Sequence, residues 1–379
     1  MHTPRLHAAT LATALAFAGA ASAQAPSTPS SVTLYGIVDV GVEYLSKVGP
    51  GGSLSRMPST TSLVPSRWGL RGSEDLGGGL KALYTLEAGF ASDQGTAGQG
   101  GRAFGRQSWV GLGGSWGTVS LGRQYSMLFW SMLDSDVMGP AIYAMGSLDA
   151  YLPNARADNM LAWRGNFGGL ALGAGYSLGR DAVNAGPSPV GTNCPGESAT
   201  DSAACRQWSL YAKYDAPAWG LAAGYDQQNG RTPASPTDPV FGGMTSSSKH
   251  DTRLHIGGYA KLAGAKLGAG LLRRDNDGDT AKPRSNLWYL GVSYPVTSAL
   301  VLEGQYLALR YRDVDGYNAN MLAARAVYSL SKRTAVYAQV GTIRNGRLST
   351  VSVSGGAPGS ATAPGGSQTG INAGIRHSF

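Results

Sequence analysis

Charged side chains make up only 14% of this 379-residue chain, against about 25% in ordinary soluble domains. A soluble enzyme of this size does not fit that deficit. After residue 23 there is also no long apolar run, because charged or glycine-rich breaks fall every few positions, and a membrane-spanning helix needs about 20 consecutive apolar residues. A helical membrane protein is excluded. Only two cysteines are present, so neither a disulfide-dense scaffold nor a four-cysteine metal site can be built. Histidine is scarce too. Beyond residue 23 only His250, His255 and His377 remain. With no His-Glu-x-x-His, Gly-x-Ser-x-Gly or phosphate-binding glycine loop beside them, the chain reads as neither an enzyme nor a metal or cofactor protein.

Residues 1–23 have the form of a secretory signal peptide. Arg5 is the basic end, Ala8 to Ala20 the apolar middle and Ala21-Ser22-Ala23 the cleavage site, leaving 24–379 as one domain. Without Arg5 the chain has 30 basic and 23 acidic side chains, a net of +7. Bases and acids interleave along it, unlike the segregated basic stripe of a nucleic-acid binder. Export favours a loop disulfide between Cys194 and Cys205 over two free thiols.

What is abundant is glycine, 56 residues, and tyrosine, 18, set into a pattern of period two. In 32–44, Val38, Val40, Val42 and Tyr44 alternate with Ile37, Asp39, Gly41 and Glu43. In 253–262, Leu254, Ile256 and Leu262 alternate with Arg253, His255 and Lys261. Such segments are half-apolar strands. At about ten residues they are longer than the strands of most soluble sheets. Seven short turns alternate with eight long irregular segments at 46–65, 91–102, 125–158, 179–206, 226–251, 275–285, 311–318 and 345–369. Fifteen connections imply sixteen strands, and an even-stranded antiparallel barrel with turns on one rim and loops on the other. A barrel that wide cannot fill its interior with side chains. The apolar face therefore meets lipid, and the polar face lines a channel. The fold expected is all-β, a 16-stranded antiparallel transmembrane β-barrel. His255, inward-facing, is expected to be exposed near the rim.

Particular blocks are familiar. Leu34-Tyr-Gly, Ser66-Arg-Trp-Gly-Leu-Arg-Gly-Ser-Glu-Asp-Leu-Gly77, Gly105-Arg-Gln-Ser-Trp-Val-Gly-Leu112, Gly117-Thr-Val-Ser-Leu-Gly-Arg-Gln-Tyr125 and the ending Gly374-Ile-Arg-His-Ser-Phe379 resemble the Gram-negative general porin family, of the β-proteobacterial type. The resemblance covers essentially the whole exported chain. It implies an outer-membrane homotrimer set among lipid and lipopolysaccharide, with short periplasmic turns, long external loops and a third loop folded into the lumen. It further implies a water-filled pore passing small hydrophilic solutes and ions, and a terminal Phe379 that addresses the barrel-assembly machinery. A substrate-specific channel or an adhesin-like surface barrel are the alternatives.

The resemblance also points to arginines on the wall of the constriction, and the matching positions are Arg67, Arg123 and Arg164. Strict alternation would put Arg123 on the outward face with Val119 and Leu121, so a register slip is expected there. Each arginine could instead pair with an acid at the rim. Between Tyr125 and Leu161 the acids are Asp134, Asp136, Asp149 and Asp158, and the one base is Arg156. Asp134 and Asp136 are expected to face the arginines across the pore, the other reading being a solvated external loop. Glu87 and Asp39, on inward faces, are expected to join the acidic side.

Overall fold

The computed structural model describes residues 30–149, 152, 155–179, 194, 196–232, 244–279 and 281–379. The signal-peptide segment lies outside them. Among the described residues the chain is a single antiparallel sheet closed on itself. Sixteen strands form the wall: β1 Ser31–Val48, β2 Arg67–Gly77, β3 Leu80–Ala91, β4 Gln107–Gly114, β5 Gly117–Tyr125, β6 Arg156–Phe167, β7 Leu170–Ser177, β8 Gln207–Asp215, β9 Trp219–Asn229, β10 His250–Leu262, β11 Ala265–Asn276, β12 Arg284–Pro295, β13 Leu300–Arg312, β14 Ala319–Ser329, β15 Thr334–Asn345 and β16 Ser367–Ser378. Two short strands, Gly52–Arg56 and Thr96–Ala97, lie in the first and second loops.

Each wall strand pairs with its neighbours in sequence. β1 closes the ring on β16, with Ile37 opposite Ser378 and Leu45 opposite Gly370. Closure satisfies every strand edge from within the wall, which hydrocarbon requires. The last residue completes the seam. Gly36 and Phe379 exchange backbone hydrogen bonds of 3.1 and 3.0 Å. The Phe379 ring covers Gly36 so closely that a Cβ there would sit 2.3 Å from it.

Alternation decides which face goes where. In β1, Val38, Val42 and Tyr44 are exposed while Asp39, Glu43 and Leu45 are buried. Ile371, Ala373, Ile375, His377 and Phe379 hold the outward register to the terminus. Exposed leucines, valines and isoleucines cover the exterior, with Trp68, Trp116, Tyr214, Trp219 and Tyr328 among them, the apolar band and aromatic girdles of a lipid-embedded barrel.

The lumen is less polar than alternation alone suggests. On β11 to β15 the inward residues Leu272, Leu287, Leu307, Leu309, Met321 and Ile343 are buried. The third loop, 126–155, lies against them, contributing Leu128, Met138, Ile142 and Tyr143 to one apolar cluster. A barrel too wide to fill with side chains is thus filled on one side by its own loop. Glycines make room for it. A Cβ on Gly341 would meet Tyr143 at 2.7 Å.

Candidate functional site

The third loop leaves the wall at Ser126, makes one helical turn over Met127–Met132 and crosses the lumen before β6 begins at Arg156. Its acids hold it to the far wall. Asp134 pairs with Lys213 of β8. Asp149 takes two hydrogen bonds from the buried Arg253 of β10, at 2.9 and 3.1 Å, and Arg253 is braced from behind by Asp251 at 3.0 Å. Arg325 of β14 donates to the carbonyls of Met138 and Val137 at 2.8 and 3.2 Å. Asp136 sits between these anchors. Burial raises its carboxyl to about 6, an effect that Gln305, the N–H groups of Gly139 and Met138, and the Arg325 charge partly offset.

The helical turn is fixed from beneath. Ser131 Oγ lies 2.9 Å from His255 Nδ1, His255 Nε2 lies 2.7 Å from the Tyr289 hydroxyl, and that hydroxyl lies 2.6 Å from Ser135 Oγ. The structure corrects the expectation of a rim-exposed His255. It is fully buried, because the loop lies across the inward face that alternation gave it. The serine and histidine are sealed from solvent and work as a clasp.

The cationic side is a network around Tyr125. Arg67 and Arg106 converge on Glu87, at 3.6 and 2.7 Å, and Tyr35 donates to the same carboxylate at 3.0 Å. Arg102 and Arg123 converge on Asp158. Arg106 also donates to the Tyr125 hydroxyl at 2.6 Å, and the Arg156 guanidinium lies 5.1 Å from the Tyr125 ring centre. Four guanidinium groups therefore share two carboxylates, with Arg156 beside them against Tyr125. Beside them opens a cavity of about 110 Å³, lined by Arg106, Tyr125 and Arg156 on one side and by Phe129, Asp136 and Met145 of the loop on the other.

Of the residues expected at a constriction, Arg67, Arg123 and Glu87 come together here. Arg123 turns inward at a β-bulge, where the pairing of β5 with β6 slips between Gly122 and Gln124. Gly122 has φ +127°, and a Cβ on it would meet the Ser108 carbonyl at 2.2 Å. The extra residue of that bulge lies on β6, where Asn159 has φ +50°, so the left-handed backbone at Gly122, which a side chain rarely adopts, is what lets Arg123 turn inward.

Arg164 lies apart from this cluster, paired with Thr118 beside a short turn. It is six residues from Asp158 along β6, roughly 20 Å. Its guanidinium covers the Trp130 ring at 4.0 Å. Asp134 faces Lys213, away from the arginines. Of the two loop aspartates expected to oppose the cluster, only Asp136 lines the cavity they share. Asp39 is turned to other use: the Tyr337 hydroxyl and the Val64 N–H bind its carboxylate, fixing the first loop. Arg156 and Asp158 belong to the wall strand rather than the loop, which leaves the loop with three acids and no base. In the fourth loop, Cys194 and Cys205 are joined by a disulfide.

Sequence reasoning passed over Arg102, Arg106 and Arg156. Arg106 stands inside the Gly105-Arg-Gln block, and the short alternation after Arg156 marked it as wall.

A family model described as Gram-negative porin matches residues 8–348. The chain is 33% identical to outer membrane porin protein 32 of Delftia acidovorans, over 96% of this chain and 97% of the relative. It is 30% identical to an outer membrane porin protein of Bordetella pertussis, over 85% and 90%. Among solved structures, an anion-selective porin from Comamonas acidovorans matches with TM-score 0.74 and 30% identity, over 93% of this chain and 100% of that one.

Proposed function

Because the chain belongs to the Gram-negative porin family, and is thus a passive channel of the outer membrane, we propose that its pore favours small anions over small cations. The observation that carries this reading is the gathering of five guanidinium groups against three carboxylates, Glu87, Asp158 and Asp136, around the cavity. A low-dielectric wall focuses that excess on the water beside the loop. Two of the loop's three acids are engaged on the opposite side: Asp134 on Lys213 and Asp149 on Arg253. Only Asp136 is left to oppose the arginines, and its raised carboxyl holds its proton to higher pH than a free aspartate.

The loop sets the size limit. Its anchors reach β8, β10 and β14 and seat it on an apolar shelf, so the constriction is built rather than transient. The Comamonas relative bears the description anion-selective, in keeping with this reading. We further read the protein as a homotrimer, with Phe379 as the assembly signal.

Proteoliposome swelling tests the proposal. Two solutes of equal size, one monoanionic and one monocationic, are presented across vesicles carrying the purified protein. The anion should enter faster, and the two rates should converge as added salt screens the cluster. Faster entry of the cation at low salt would overturn it.

A further inference from the structure

From the arginine cluster toward the short-turn rim, the beginning of the third loop carries a run of aromatic rings. Tyr125 stacks on Phe129 with ring centres 4.0 Å apart. Trp130 stands edge-on to both, 6.0 Å from Tyr125 and 5.6 Å from Phe129. Guanidinium groups bracket the run. Arg156 and Arg106 engage Tyr125 at one end, and Arg164 covers Trp130 at the other.

The helical turn sorts its side chains. Met127 and Leu128 are fully buried, whereas Phe129 and Trp130 remain partly exposed. Leaving two large rings partly in water forfeits burial energy that full coverage would give. Each packs one part of its ring against an apolar cluster, while the ion pairs of Asp134 and Asp149 and the hydrogen bonds of Ser131 and Ser135 hold the loop without the parts left exposed. Phe129 also lines the cavity together with Arg106 and Arg156. A size filter needs charge and bulk at that point. It does not need a flat aromatic surface between two sets of guanidinium groups.

We propose that this ledge is a binding site for small aromatic carboxylates. The solute's ring packs against Phe129 and Trp130 in the offset or edge-on geometry that aromatic quadrupoles favour. Its carboxylate accepts charge-assisted hydrogen bonds from the flanking guanidinium groups. An aliphatic carboxylate of the same size and charge receives the second interaction without the first. Because the rings run between the two arginine groups, the solute can step along them. The proposal rests on the anion preference argued above and adds to it a selection by ring chemistry at fixed charge.

The test uses the native channel in a planar bilayer carrying chloride current, with benzoate and cyclohexanecarboxylate as competing probes. Both are monoanions of nearly equal size, so the comparison reads the ledge and not the charge. Benzoate should half-block the current at a concentration roughly two- to tenfold lower, the factor that aromatic pairing supplies. Phe129→Leu, Trp130→Leu and the double substitution should remove that advantage stepwise, with heat-modifiable migration on gels showing that the barrel is intact. Equal half-blocking concentrations in the native channel would overturn the proposal, as would a benzoate advantage that survives the double substitution. A native channel that prefers potassium over chloride would refute the underlying anion reading separately.

Discussion

Replacing Arg156 with glutamine removes one positive charge from the cavity wall while keeping a side chain of similar reach. Take an ion passing the guanidinium at about 6 Å, well within one Debye length. At that distance in water two unit charges interact by about 0.7 kcal/mol, and screening at 0.1 M salt leaves about 0.4 kcal/mol. An anion loses that stabilisation and a cation is relieved of the same repulsion. The difference, about 0.8 kcal/mol, lowers the anion-to-cation permeability ratio roughly three- to fourfold. The zero-current potential across a bilayer in a tenfold potassium chloride gradient reads this ratio directly. Arg156→Lys, which keeps the charge and loses the planar contact with Tyr125, should stay within a factor of two of the native channel. An unchanged ratio in Arg156→Gln, or an equal loss in Arg156→Lys, would refute the electrostatic reasoning.

Other perturbations follow from the anchors. Asp136 has its carboxyl raised to about 6 by burial, so lowering the pH through 6 protonates it, removes a negative charge from the cavity and raises the anion preference by a similar factor. Zero-current potentials between pH 4.5 and 7.5 should show that step, and Asp136→Asn should abolish it. Asp149→Asn takes one carboxylate charge from the buried Arg253, at a cost of about 1–3 kcal/mol, and proteinase K should then cleave within 126–155 faster than in the native protein. Gly341→Ala drives a methyl against Tyr143, which a Cβ would approach to 2.7 Å. Overpacking there costs about 1–3 kcal/mol, and the loop, pushed from the wall into the lumen, should lower the single-channel conductance.

The wall was legible in the chain because alternation is a local property. Val38, Val42 and Tyr44 face out and Asp39 and Glu43 face in, as the period requires. Turn positions such as Gly77-Gly-Gly79 and Ala263-Gly264 carry their own conformational signature, and all seven short turns fall where the sequence places them. The site was only partly legible, since its pairings are remote. Nothing near Asp134 indicates Lys213, 79 residues away, and nothing near Asp149 indicates Arg253. Charge census along the chain therefore assigned the loop acids to the pore when they hold the loop to the wall. Arg123 defied alternation until the positive φ of Gly122 accounted for it. His255 was placed on the correct face, but burial of that face depends on a loop more than a hundred residues earlier. The apolar shelf of Leu272, Leu307 and Ile343 was hidden for the same reason: a period of two shows which side a residue takes, not what covers it.

The central claim, a passive pore whose charge balance at the third loop favours anions, is tested most directly on the unaltered protein. Its zero-current potential in a tenfold potassium chloride gradient, at pH 7 and low ionic strength, should take the sign of chloride flow and shrink as salt rises. A potential of the opposite sign, set by potassium, would contradict the account.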